Sequence, residues 1–567
     1  MKTELDLKMD AVMAAMTAEG GQLALGEVER FGRKLPMIAA APPTLTAYIA
    51  YFSAQHADAE FLVAGDERLT FAQVHATAQK VAAALAGGYG VRKGDRVGIA
   101  ARNSPAWIAL YMGILMAGGV ATLLNGWWQT DELRHGIEDV ECGLVFADAP
   151  RAARLAAIDG LAAKVVTFDD TRRLEDALAE VIAREAGALP ELGPDDHATI
   201  LFTSGSTGKS KGALSTHRQV VQGVFNYLAS ALMMLAITAQ EGEAMSALQP
   251  STLLNVPLFH VTAEVPVMLQ SLAIGRKLVL MPKWDAEEAM RLIEKEKITY
   301  FVGVPLMSFE MLTHPNRAKY DLSTLTDIAA GGAPRPVEHV RRIHDEMQGA
   351  PLIGYGLTET NGVGTGNWRG NYLPNPTSSG RPSPPLVDLA ILGGAGTPVA
   401  QGGRGEVCIR SVANFVGYWG NPQATADAFT SDGYFRTGDI GYLDEDGYLF
   451  IVDRKKDIII RGGENISGQE VEAALYEHPQ VAEASVFGLP DEKFGEVPGA
   501  VVLPTEGATL TAAELTAFLL QHIAAFKVPA RIWVVSEPLP RLGTEKIDKV
   551  TLRAKYRALV AAETKAA

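Results

Sequence analysis

Apolar positions along the chain follow two periods. Val74, Ala78, Val81, Ala82 and Leu85 fall on one helical face, and Gly87-Gly88 ends the run. Thr70-Phe71-Ala72-Gln73, just before it, has capping-box spacing, in which a hydroxyl and an amide satisfy free N–H groups at a helix start. Short apolar runs bounded by turn residues read as strands at 60–64, 97–100, 278–281, 299–304 and 326–330. Strands alternating with helices predict a layered α/β fold with largely parallel sheets.

Two uncharged apolar stretches, 107–124 and 220–239, approach the length of a membrane span. Gly118-Gly119 divides the first into a helix-length piece and a short strand, and Gln222, Gly223 and Asn226 interrupt the second. Both are expected to be buried core elements, so no transmembrane segment is predicted. The start, Met1 to Asp10, mixes acids with lysines and lacks a signal-peptide pattern.

Beyond Gly447 the texture changes. A strand at 448–452 leads into the charged cluster Asp453-Arg454-Lys455-Lys456-Asp457. A smaller α+β pattern follows, with helices near 469–477 and 512–524 and strands near 481–488 and 499–503. The expected organisation is an N-terminal domain over 1–453, a hinge at 454–456 and a C-terminal domain over 457–567, its last four residues frayed.

A chain of 567 residues is too long for one compact core, in keeping with that division. A net charge of −15 argues against non-specific affinity for nucleic acid or anionic membrane, though not against phosphate ligands held at a local positive site. Cys142 and Cys408 are too few for a disulfide framework and lack metal-ligand spacing, which suits a reducing cytoplasm.

The segment Thr203-Ser204-Gly205-Ser206-Thr207-Gly208-Lys209-Ser210-Lys211-Gly212 follows a predicted strand at 199–202. Its glycines free the backbone to approach an anion, and its hydroxyls and lysines supply donors and charge. Gly208-Lys209-Ser210 imitates the end of a Walker A loop, but that motif needs glycine at position 203, where threonine stands. Further on come Pro257-Leu258-Phe259-His260, Gly331-Gly332-Ala333-Pro334, Gly354-Tyr355-Gly356-Leu357-Thr358-Glu359 and Tyr434-Phe435-Arg436-Thr437-Gly438-Asp439. The charged cluster at 453–457, Arg461-Gly462-Gly463-Glu464-Asn465 and the stretch 540–549, which contains Lys546, complete the series. Asp439 and Glu359 are acceptor-only when ionised, with hard oxygens, and Lys546 is a point charge on a flexible stem.

In identity and order these segments resemble the motifs of the adenylate-forming superfamily, which includes acyl- and aryl-CoA synthetases, peptide-synthetase adenylation domains and firefly-type luciferases. One departure is Ser210, where proline is usual. The resemblance implies a large N-terminal domain of layered α/β subdomains, with two mainly parallel sheets and a β-barrel-like part, and a small mobile α+β C-terminal domain. It implies ATP, Mg²⁺ and coenzyme A as cofactor and co-substrates, and a small-molecule carboxylic acid as partner; a homodimer is compatible with it.

Residue by residue, the resemblance assigns Thr203, Ser204, Gly205, Ser206, Thr207, Gly208 and Lys211 to the phosphates. Gly331, Gly332, Ala333 and Pro334 would hold adenine with Gly354 and Tyr355. Thr358 would contact phosphate, Glu359 magnesium, and Asp439 the ribose, with Arg454 facing the nucleotide. Lys546 would be the catalytic lysine, Lys456 the hinge, and Arg461, Gly462 and Gly463 the coenzyme A path. His260, Gly303, Gly331 and Gly356 would line the acyl pocket. Relatives that take acetate carry tryptophan where this chain has Gly356, so the acid is expected to exceed acetate or propionate. A medium- or long-chain fatty acid is the first expectation, and an aryl or alicyclic acid the alternative. A carrier-protein-loading enzyme would share the first half-reaction. Glu264, where some long-chain enzymes carry a tunnel-gating tryptophan, is expected to face solvent, the alternative being a substrate that carries a polar group.

Overall fold

The computed structural model describes residues 2–203, 210–242, 246–333, 335–347, 349–394, 396–455, 457–461, 464–491, 493–542 and 546–566. Two large sheets dominate. The first runs in the order Gly417–Tyr418, Lys211–Thr216, His197–Thr203, Val120–Leu123, Arg96–Ala100, Leu144–Asp148, Lys164–Phe168, with its last five strands parallel. The second has nine strands, centred on the parallel set Asp327–Gly331, Tyr300–Gly303, Ser251–Leu254, Lys277–Leu280 and flanked by Ala350–Gly356 and Glu60–Ala64.

One continuous apolar core joins the inner faces of both sheets through the helices Phe71–Ala86, Pro105–Met116 and His217–Gln240. Every residue of Pro105–Met116 is buried, which is why its sequence is apolar all round rather than amphipathic. Gly118, at φ 80°, makes the turn between this helix and the strand Val120–Leu123, as the glycine pair suggested. His217–Gln240 is long and apolar enough to cross a membrane by length and composition, yet 67% of its most apolar window is buried inside the protein. The Thr70 capping box forms as expected, with the Thr70 side chain accepting from the Gln73 N–H.

The part expected to resemble a barrel is a four-stranded antiparallel sheet in the order Asp388–Leu392, Gly405–Arg410, Phe435–Leu443, Leu449–Arg454, and no closed barrel forms among the described residues. Phe435–Leu443 buries alternate residues, so Phe435, Thr437 and Asp439 point inward together. Beyond Arg454, the antiparallel pair Val481–Asp491 and Gly495–Pro504 carries the helices Gly468–Tyr476, Ala512–His522 and Lys549–Ala566 around two apolar clusters of its own. The predicted helix at 512–524 stops at His522 because Ile523 is extended, and the tail expected to fray continues as helix to Ala566.

A helix at Glu4–Thr17, for which the apolar pattern had suggested nothing, is tied in by one carboxylate. Asp6 is fully buried and accepts hydrogen bonds from Arg381 at 3.0 Å, Asn371 at 3.0 Å and the Tyr448 hydroxyl at 2.9 Å. Asp6→Ala would strand these donors and is expected to destabilise the fold by about 3 kcal/mol. Lys2→Ala, which removes an exposed partner of Asp10, should cost under ~1 kcal/mol. Unfolding midpoints of the two variants check this; equal shifts would contradict it.

Candidate active site

The glycine–serine segment connects two antiparallel strands, His197–Thr203 and Lys211–Thr216, whose register sets Thr203 opposite Lys211. The expected phosphate ligands Ser204, Gly205, Ser206, Thr207 and Gly208 lie outside the described residues, as do Pro334, Lys456, Gly462 and Gly463. The ends of the loop are informative. Lys211 sits 4.8 Å above the Tyr418 ring, and the Tyr418 hydroxyl donates to Glu359 Oε1 at 2.8 Å. Tyr418 arrives there because Gly417–Tyr418 pairs with Ala213 and Leu214 on the strand that begins at Lys211.

Glu359 lies in the single 3₁₀ turn Thr358–Thr360, just beyond the carboxyl end of Ala350–Gly356. Burial pushes its carboxyl above the usual carboxylate range, opposed by the Tyr418 hydrogen bond and by the charges of Arg454 and Lys211. A buried acid beside the segment expected to bind phosphate fits Mg²⁺, which characteristically takes one or two carboxylates plus substrate phosphates.

Asp439 is 2% exposed, with its two oxygens divided between partners. Arg454 Nε reaches Oδ1 at 2.7 Å, and the Tyr355 hydroxyl donates to Oδ2 at 2.6 Å. The Asp439–Arg454 contact is a cross-strand pair of Phe435–Leu443 and Leu449–Arg454. Each carboxylate oxygen keeps acceptor capacity for a ligand hydroxyl.

Lys546 enters the same cleft from beyond residue 540. It lies so close to Gly332, at φ +78°, that a Cβ there would meet its Cε at 2.6 Å and its Nζ at 2.9 Å. Burial, and then the charge of Arg454, lower its ammonium pKa to about 8, with Asp439 opposing. His260 is pushed down to about 3, first by burial and then by Lys546, and its Nδ1 accepts the Thr262 N–H at 3.2 Å. A neutral ring at physiological pH can accept or orient, but it holds no proton to spare as a cation.

A cleft of about 2810 Å³ unites Thr203, Lys211, His260, Gly331, Gly332, Ala333, Gly354, Tyr355, Gly356, Thr358, Glu359, Asp439, Arg454 and Lys546. These come from segments more than three hundred residues apart. Arg461 is not part of this wall; its guanidinium stacks over Phe494 at 3.9 Å.

Three expectations about the acyl side need correction. Gly303 turns away from the cleft, and a Cβ there would meet Met307 and Phe301; strand alternation makes Val302 and Val304 the lining residues instead. Gly356 borders the cleft but opens no pocket, because a Cβ would lie 1.8 Å from the Gly362 carbonyl oxygen; it is small so that two backbones can touch. Glu264 does not face solvent. It is fully buried, accepts the Tyr111 hydroxyl at 2.8 Å on Oε1, has no partner on Oε2 among the described residues, and is raised to about 7 by burial.

Residues 49–419 match the family of AMP-binding enzymes, and residues 470–546 match the AMP-binding enzyme C-terminal domain. A long-chain-fatty-acid–CoA ligase of Mycobacterium tuberculosis is 34% identical over 497 residues, 87% of this chain and 94% of that protein. A feruloyl-CoA synthase of an Amycolatopsis species is 34% identical over 493 residues, again 87% of this chain and 95% of the relative. The ATP-bound structure of MatB from Rhodopseudomonas palustris superposes with a TM-score of 0.79 at 28% identity, covering 91% of this chain and 99% of that one. The fold is that of an acid–thiol ligase that works through a nucleotide. The chain belongs to the AMP-binding enzyme family and is an AMP-forming acid–CoA ligase, with a small-molecule acid, ATP and coenzyme A as substrates.

Lys546 carries its charge below its pKa, so any step that needs the ammonium is complete at lower pH and lost as pH rises through about 8. In the free enzyme, kcat/KM for acid activation is expected to fall on an alkaline limb near that pH. Lys546→Arg, which stays charged, should move the limb upward in whatever activity remains. A limb unmoved by this substitution would assign it to another group.

Proposed function

We propose that the acid is an extended one, a medium- or long-chain fatty acid, converted to acyl-CoA, AMP and pyrophosphate through an acyl-adenylate. The observation that carries this reading is the continuation of the cleft beyond Gly331. It runs along one sheet face past Ala329, Val302 and Leu352, opposite Tyr227, Met234 and Ile274 of the covering helices. Asp327 to Gly331 spans four residue steps, so this apolar channel covers about 13 Å, roughly ten bonds of a zigzag chain.

In the first half-reaction the substrate carboxylate attacks the α-phosphate and pyrophosphate leaves. Both reactants are anions, so the site must supply positive charge and hold the reacting atoms in line. Lys546 is assigned to bridge the carboxylate and α-phosphate oxygens; its low-dielectric surroundings make that charge worth more than it is in water. Lys211, Thr203 and Thr358 are assigned to the phosphates, and Asp439 with Arg454 to the ribose hydroxyls. Glu359 would hold Mg²⁺, which neutralises phosphate charge when bound.

In the second half-reaction the thiol of coenzyme A attacks the adenylate carbonyl and AMP leaves. We assign to 457–567 a rotation about Lys456 that withdraws Lys546 and brings Arg461, Gly462 and Gly463 to the thiol path. Lys546 inside the cleft, with Arg461 over Phe494 outside it, supports reading this arrangement as the adenylate-forming one.

Lys546→Ala is expected to slow adenylate formation by ~3–4 kcal/mol, several hundredfold or more. It should still convert supplied acyl-AMP and coenzyme A into thioester, and equal loss of both half-reactions would remove the assigned role. Substrate size is tested by pyrophosphate release across acids. Straight chains of eight to sixteen carbons should exceed acetate, propionate and benzoate in kcat/KM. Preference for ferulate and other aryl acids would move the assignment to the aryl alternative, which the feruloyl-CoA synthase relative supports.

A further inference from the structure

At the far end of the apolar channel, Arg276 faces the cleft where a hydrocarbon tail would end. It precedes the strand Lys277–Leu280, is 7% exposed, and lies over the Tyr300 ring at 4.8 Å. Its Nε and Nη1 are buried and have no hydrogen-bond partner among the described residues. A buried guanidinium without an acceptor is costly, because its donors have lost water and gained nothing in return.

The acid whose charge reaches it, Asp327, is not hydrogen-bonded to its Nε or Nη1. Asp327 lies on the same channel floor, but its two oxygens are held by Arg369, with Nε at 2.8 Å from Oδ1 and Nη2 at 2.9 Å from Oδ2. The Tyr300 ring attracts the cation through its face but offers no acceptor to the in-plane N–H groups. One carboxylate between two guanidiniums leaves a local excess of positive charge. Other polar side chains border the same end, among them Gln270, whose amide is committed to the Tyr227 carbonyl at 3.2 Å.

We propose that Arg276 is a specificity-determining residue that receives a second carboxylate at the distal end of the substrate, so that the preferred acid is an α,ω-dicarboxylic acid rather than a simple fatty acid. The planar fork of a guanidinium matches a carboxylate with two parallel N–H···O bonds. The apolar walls between Gly331 and Tyr300 take the methylenes, and the reacting carboxylate remains beside Lys546. The reaction is unchanged: one carboxylate displaces pyrophosphate and then becomes the thioester, while the other stays ionised against Arg276. The inference rests on the extended-chain reading above and sharpens it.

The test compares dodecanoic with dodecanedioic acid in pyrophosphate release by the full-length enzyme with ATP and coenzyme A. In the wild type, kcat/KM should favour the diacid by about 10-fold or more, with the difference expressed in KM; a charged hydrogen-bonded contact contributes roughly 10- to 100-fold. Arg276→Gln should lower the diacid value by a similar factor, change the monoacid value less than about threefold, and so erase the preference. Arg276→Lys should retain part of it. Dodecanedioate should also raise the wild-type unfolding temperature more than dodecanoate does, a readout that needs no variant to fold. A wild-type preference for dodecanoate, or a ratio untouched by Arg276→Gln, would overturn the distal-carboxylate inference while leaving the extended-chain reading intact. Turnover of aryl or short acids with neither twelve-carbon acid accepted would overturn both.

Discussion

A buried carboxylate shared between an arginine and a tyrosine is the contact on which the site depends. Asp439 joins the strand Phe435–Leu443 to Leu449–Arg454 through Arg454, and joins both to the large parallel sheet through Tyr355. The chain leaves this junction towards the segment that returns with Lys546. Removing Arg454, itself half exposed, would leave the buried Asp439 charge without its ion-pair partner. Here the same groups are assigned to the nucleotide, so stability and binding draw on one set of interactions.

Desolvation acts on four groups of the cleft in the direction each charge dictates. Lys546 and His260 are pushed down, and Glu359 and Asp439 are pushed up. Without ligand, the cleft therefore holds charged forms that are less favourable than they would be in water. Under the proposed assignment, the phosphates of a nucleotide would relieve Lys546, and Glu359 would be relieved by the Mg²⁺ it would hold. Such a site is preorganised for charge that develops during reaction.

Much of this was legible along the chain because it is local. The capping box at Thr70, the glycine turn at Gly118 and the strand before the phosphate loop each depend on a few neighbouring residues. The ordered motifs placed Asp439, Arg454, Glu359 and Lys546 in one reading, and the cleft brings them together. What escaped depends on distant partners. Tyr418 reaches Glu359 only through strand pairing with Ala213. Glu264 is buried because Tyr111, 153 residues earlier, supplies its hydroxyl. Gly303 turns away through the alternation of a strand whose inward face the sequence leaves open, and Gly356 answers to a carbonyl six residues on rather than to a ligand. Arg276 carries no motif; only the packing of Tyr300 and the prior engagement of Asp327 single it out.

The central claim is that these separated segments converge so that a carboxylate oxygen attacks the α-phosphate. Isotope transfer from an acid labelled with ¹⁸O in its carboxyl group tests it most directly. After a complete turnover with ATP and coenzyme A, one labelled oxygen should appear in AMP and none in pyrophosphate. Label in pyrophosphate or inorganic phosphate, or AMP without label, would contradict it.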